Sequence, residues 1–157
     1  MANAKWIPPG HTTITATITL SDANRAIDFY KRAFGATEVG RFDGPDGKIM
    51  HAEIQIGDSF LMLNDEVMGC RSPQSLGGSP ASFYLYFDDA DAAQKKAVAA
   101  GAKEMMPVTD MFWGDRMGHI EDPFGYQWNI ATRVREMTPA EIRKAGQEFM
   151  KQMAEAR

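Results

Sequence analysis

Residues 12–20 alternate without a break. Thr13, Thr15, Thr17 and Thr19 fall on one face, and Ile14, Ala16, Ile18 and Leu20 fall on the other, which is the period-two signature of a half-buried strand. The period then changes. After Ser21 or Asp22 as a cap, Ala26, Ile27, Phe29, Tyr30, Ala33 and Phe34 recur at helical spacing, and Gly35 ends the run. Short alternating stretches follow at about Thr37 to Phe42, at 48–56 and from Ser59 to Leu63, separated by Gly44-Pro45-Asp46-Gly47 and Gly57-Asp58. These turns supply fixed or positive φ where a hairpin needs it. The pattern so far reads βαβββ.

Residues 66–80 show no periodicity and read as a linker. The pattern then restarts: a strand from Ser82 to Phe87, a helix capped by Asp88 or Asp89 and ended by Gly101, and strands at Lys103 to Val108, Arg116 to Glu121 and Tyr126 to Ala131. Thr138-Pro139-Ala140-Glu141 is a capping box with proline at the first helical position, and it predicts a C-terminal helix over about 138–154. The two halves also match as sequence. Leu20-Ser21-Asp22-Ala23 lies over Phe87-Asp88-Asp89-Ala90, and Gly35-Ala36-Thr37-Glu38 over Gly101-Ala102-Lys103-Glu104. His51-Ala52-Glu53, with Gly57 four residues on, lies over His119-Ile120-Glu121, with Gly125 four residues on. An ordered internal match is the mark of a duplicated unit. The expectation is an α+β fold in one domain over 1–157. Two βαβββ modules (about 12–65 and 81–132) curve around a cavity, and a terminal helix follows.

A duplicated module assigns faces. Ile14, Ala16, Ile18, Phe83, Leu85, Phe87, Trp128 and Ile130 are expected against the helices. Thr15, Thr17, His51, Glu53, Ser59, Leu61, Ser82, Tyr84, Tyr86, His119, Gln127 and Asn129 are expected on the cavity side. A polar lining suits a wet ligand site better than a packing interface, because each buried unbonded polar group costs about 1–3 kcal/mol.

Composition narrows the function. A formal charge of -4 and a pI near 5.4 argue against a nucleic-acid partner. No apolar run is long enough to span a bilayer, and the N-terminal residues have no apolar signal-peptide core. The single cysteine, Cys70, excludes an intramolecular disulfide and makes a cytoplasmic location the simplest reading.

The stretches Ala26–Ala36, Asp46–Asp58 and Trp113–Gly125 resemble the vicinal oxygen chelate superfamily, which includes glyoxalase I, extradiol dioxygenases and the bleomycin-resistance proteins. The resemblance is greatest to the PhnB-like branch and runs over roughly residues 10–145. Enzymes of that superfamily hold a divalent metal on inward positions of the first and last strands of each module. The resemblance places those positions at Thr15, about Leu61, Ser82 and Asn129. Hydroxyl, amide and hydrocarbon side chains are poor partners for such a metal, so no cofactor is expected there. The resemblance also implies a homodimer.

The pairs His51/Glu53 and His119/Glu121 remain as candidate catalytic residues, because residues i and i+2 share a strand face. They read either as a relocated metal or acid–base site or as ordinary polar strand residues. Tyr84, Tyr86 and Trp113 offer rings and donors to a flat ligand. Arg116 reads either as an anion clamp at the cavity mouth or as a surface ion-pair residue. Two functions compete: a metal-free protein that sequesters a small organic molecule, and a lyase, isomerase or dioxygenase using a relocated site.

Overall fold

The computed structural model describes residues 5–156. Residues 1–4, part of the N-terminal stretch read for a signal-peptide core, lie outside them. In chain order the elements are β1 (Ala16–Leu20), α1 (Ala23–Phe34), β2 (Thr37–Asp43), β3 (Ile49–Ile56), β4 (Ser59–Asp65), α2 (Pro73–Leu76), β5 (Ser82–Tyr86), α3 (Ala90–Ala100), β6 (Lys103–Asp110), β7 (Asp115–Glu121), β8 (Gln127–Arg133) and α4 (Pro139–Glu155). They build two four-stranded sheets of the same topology, β1-β4-β3-β2 and β5-β8-β7-β6. The duplication legible in the sequence is thus a duplication of structure.

The local signals act where expected. Asp22 caps α1 by accepting from the Arg25 N–H, and Gly35 closes it at φ 70°. Asp89 and Gly101 do the same for α3, and Thr138 with Glu141 forms the capping box of α4. The two module helices are anchored differently at their starts. Asp65, at the end of β4, accepts from the Ala23 and Ile49 N–H groups, both at 2.7 Å. In the second module the Thr132 hydroxyl accepts from the Ala90 N–H.

Two boundaries differ from the sequence reading. β1 begins at Ala16 instead of residue 12. The Thr12 hydroxyl donates to the Ile14 carbonyl and the Thr15 hydroxyl to the Thr12 carbonyl, and such local bonds compete with a strand ladder. Ile14 is therefore 86% exposed instead of facing a helix. The segment expected to be a linker is also tied down. Glu66 accepts from both the N–H and the hydroxyl of Ser72, which caps α2; hydrogen bonding from Ser75 first, and then from Ser72, lowers the Glu66 carboxyl to about 2.

One core serves both modules. Ile18, Leu20, Leu63 and the buried face of α1 are continuous with Ile120, Trp128 and Ile130. The join is largely aromatic: Trp128 meets Phe34 at 4.9 Å and Tyr30 at 5.4 Å between ring centroids. Two polar links reinforce it. The Tyr30 hydroxyl donates to buried Asp122 at 2.7 Å. The Tyr126 hydroxyl donates to the Thr19 carbonyl and accepts from the Thr19 N–H, which satisfies an edge residue of β1 that no strand pairs on that side.

Burial pushes the Tyr30 hydroxyl well above its usual range, with the Asp122 carboxylate adding to the effect; burial also raises Tyr126. A tyrosine raised in the folded state contributes stability that is whole below its unfolded value near 10 and lost as pH climbs through the folded value. Stability measured by urea denaturation should therefore hold to about pH 9–10 and then decline, with a shallower decline in Tyr30→Phe. A flat profile to pH 11 would contradict this.

Candidate functional site

Alternation sends one side of each sheet to the helices and leaves the other open. In the second module Tyr84 pairs with Asn129 and Ser82 with Gln127 across β5–β8. His119 pairs with Asn129 and Glu121 with Gln127 across β7–β8. The expected open-face set Ser82, Tyr84, Tyr86, His119, Gln127 and Asn129 therefore does share a face. In the first module Thr17 lies opposite Met62, and Met62 opposite Glu53. Ser59 and Leu61 are the exceptions. Ser59 pairs with Ile56; Leu61 pairs with Ala16 and Ile54, both on the helix side, and is 6% exposed in the core. The two-residue turn at Gly57-Asp58 pairs Ile56 with Ser59, so Leu61 inherits the apolar parity of β3, and Met62 is the open-face residue.

The two His-x-Glu pairs are not equivalent. His51 Nε2 lies 3.1 Å from Glu53 Oε1, and the other oxygen of Glu53 faces His11 Nε2 at 3.5 Å. In the second module His119 contacts Asn129 Oδ1 at 2.9 Å and Gln127 Oε1 at 2.6 Å. Glu121 accepts from the Gln127 amide instead of meeting the histidine. No hydrogen bond or ion pair joins the two pairs among the described residues, so the structure does not bring them together as one acid–base unit.

Arg116 is not at a cavity mouth. It lies opposite Thr132 on the helix side, forms a two-point ion pair with Asp91 of α3 and also binds Asp110. Those carboxylates raise its already high pKa further. The surface ion-pair reading applies.

A residue that sequence reasoning passed over organises the aromatic cluster. Asp115 is 2% exposed, and its Oδ2 accepts from the hydroxyls of Tyr84 (2.9 Å) and Tyr86 (3.1 Å) and from Trp113 Nε1 (3.2 Å). Its Oδ1 has no hydrogen bond, with Arg133 Nη1 at 3.5 Å. Burial, with Asp115 adding, pushes the Tyr84 hydroxyl up to about 12, and burial raises Tyr86 as well. Both remain neutral donors at physiological pH. The signal available in the sequence was Trp113-Gly114-Asp115 beside the Tyr84/Tyr86 alternation, but nothing local said that these would meet.

Tyr84 also lines a cavity of about 270 Å³ at the seam between the sheets. Its walls include His11, Thr15 and Phe60 from the first module, and Phe83, Tyr84 and Trp128 from the second. The volume is near the lower end of small-molecule sites, and the mix of aromatic wall and few polar groups is typical of them. His11 stacks on Phe60 at 4.9 Å. It sits in an irregular segment before β1, where periodicity carries no signal.

The architecture is that of a paired βαβββ fold, and comparison with known proteins agrees. The sequence model of the Glyoxalase/Bleomycin resistance protein/Dioxygenase superfamily matches residues 10–130; the chain belongs to that superfamily. It is 44% identical over 133 residues to an uncharacterized protein of Mycobacterium tuberculosis, covering 82% of this chain and 78% of the relative. The X-ray structure of an Arabidopsis thaliana gene product superposes with a TM-score of 0.61 at 29% identity, covering 78% of this chain and 98% of that one. TioX from Micromonospora sp. ML1 shares the fold, with a TM-score of 0.62 at 24% identity over 81% of this chain and all of that one.

Membership raises the question of the family's divalent metal. The four positions carried over here do not fit one. The Thr15 hydroxyl is committed to the Thr12 carbonyl, Leu61 is hydrocarbon in the core, and Ser82 offers a neutral hydroxyl. Asn129 bonds His119 and the Phe83 carbonyl. This is not a donor set for a divalent ion.

Proposed function

We propose that this chain binds a small organic molecule in the seam cavity and against the adjoining Tyr84–Tyr86–Trp113 cluster, without a divalent metal at the positions the superfamily commonly uses. The observation that carries this reading is one cavity wall. Tyr84 lines the cavity while its hydroxyl is fixed on a buried carboxylate, so that part of the wall is held in place before any ligand arrives. Preorganisation of this kind lowers the ordering cost of binding. Thr15, Ser82, Gln127 and Asn129 serve as polar surroundings in this reading and not as metal ligands. Thr17 stays on the open face with Met62, its hydroxyl near the thioether. The absence of a helix long and apolar enough to cross a membrane among the described residues accords with a cytoplasmic protein, and the exposed open faces accord with a homodimer.

Filling the cavity is the direct test. Thr15→Trp places a large ring at the cavity wall, where Thr15 is only partly exposed and outside any strand. In thermal-shift titrations with benzyl alcohol and benzylammonium, the unaltered protein should gain Tm with ligand, and Thr15→Trp should gain little or none. Equal shifts in both proteins would place binding elsewhere.

A further inference from the structure

Two polar atoms at this site are buried without a hydrogen-bond partner, and both are able to accept. His11 is one. Its side chain is 7% exposed, and Nδ1 lies 3.3 Å from the Pro9 carbonyl, a contact that requires the ring hydrogen on Nδ1. In the neutral ring this leaves a lone pair on Nε2, which has no hydrogen bond and faces Glu53 Oε2 at 3.5 Å. A lone pair turned toward a carboxylate is unfavourable unless the ring takes a proton or a group with N–H hydrogens and positive charge lies beside the two. Asp115 Oδ1 is the other, behind the Tyr84 wall.

Two carboxylates stand directly behind wall residues, Glu53 against His11 and Asp115 against Tyr84. Arg133 at 3.5 Å offsets Asp115. Glu53 has no such partner: its ion-pair contacts among the described residues are His11 and His51, with no lysine or arginine. Phe60, Phe83, Tyr84 and Trp128 contribute to the cavity walls, and aromatic faces attract cations.

We infer that the seam cavity takes an organic cation, a protonated amine on an aromatic or alkyl frame, whose N–H groups are received by His11 Nε2 and Glu53. This rests on the proposed function, since it names the ligand class of the same cavity. Glu53 supplies the counter-charge, His11 an oriented acceptor, and the aromatic walls hold the frame. His51, on the far oxygen of Glu53, is a positioning residue for that carboxylate.

The test is a charge series on one frame. Benzylammonium, benzyl alcohol and benzoate are titrated into the full chain at pH 7.5, following Trp fluorescence. Benzylammonium should bind at least tenfold more tightly than benzyl alcohol, and benzoate least. Glu53→Gln should remove most of that preference while leaving benzyl alcohol binding within about twofold; circular dichroism checks that the variant is folded. If the alcohol and the ammonium bind equally, or benzoate binds best, the cation inference is overturned while the cavity reading stands. Equal binding is also the result expected if a proton on His11 alone answers Glu53. If none of the three binds at millimolar concentration, both readings fall.

Discussion

Asp122→Ala should cost about 3–5 kcal/mol of stability, because it leaves several buried donors without an acceptor at once. Asp122 is 3% exposed. It accepts from the Tyr30 hydroxyl, from Trp128 Nε1 and from the N–H groups of Phe124 and Tyr126. Tyr30 belongs to α1 of the first module and the others to the second, so one carboxylate satisfies donors on both sides of the seam. Burial raises its pKa while these four bonds pull the other way. The raised folded value means that its contribution is greatest in acid and declines as pH rises through that value. Asp122→Asn keeps one oxygen for the two backbone donors but turns an amide N–H toward Trp128 Nε1, which can only donate, so it should fall between alanine and the unaltered chain. Urea denaturation at pH 7 gives both numbers. A loss below about 1 kcal/mol for Asp122→Ala would mean that water or a shifted side chain replaces the carboxylate.

Gly114→Ala should be nearly as damaging, at about 2–4 kcal/mol, for a different reason. Gly114 sits at φ +99°, where an L side chain is strained, and an added Cβ would lie 2.4 Å from the Arg135 carbonyl oxygen. That oxygen is backbone and cannot swing aside. The Gly114 carbonyl also receives the N–H groups of Val134 and Arg135, so shifting the loop breaks the junction that follows β8. Trp113 and Asp115 flank this glycine, and the variant should therefore lose the hydrogen bonds on which Tyr84 and Tyr86 are fixed. The expected readouts are a lower denaturation midpoint and a more quenchable Trp113, resolved by subtracting the Trp113→Phe signal. An unchanged midpoint would show that the loop absorbs the change locally.

The fold was legible because each element announces itself through short-range chemistry. The β1 and α1 periods, the Asp22, Asp89 and Thr138 caps and the stops at Gly35 and Gly101 act within a few residues. The repeat supplied the topology. Failures arose where a contact distant in sequence or a local competitor decides. Thr12 and Thr15 turn the chain before β1, an outcome periodicity cannot foresee. Ser59 and Leu61 differ from expectation together, because the parity of β4 is set by its register against β3, which puts Ser59 opposite Ile56.

The site was less legible for the same reason. Tyr84, Tyr86 and Trp113 stood out as rings, but the group that fixes them, Asp115, lies 29 and 31 positions from the two tyrosines. His11 had no pattern around it at all. Arg116 drew interest for its fork, and only the packing of α3, which brings Asp91 to it, decides its role. The two His-x-Glu pairs look alike as text, yet Gln127 and Asn129 take up His119, while His51 keeps its carboxylate.

The central claim is that the cavity binds its ligand without a metal. Benzylammonium affinity measured on chelator-stripped protein, and again after reloading with zinc, nickel, manganese or iron with elemental analysis of each sample, tests it most directly. No stoichiometric metal uptake and the same Kd throughout are expected. Stoichiometric uptake together with binding that appears only in a metal-loaded sample would contradict it.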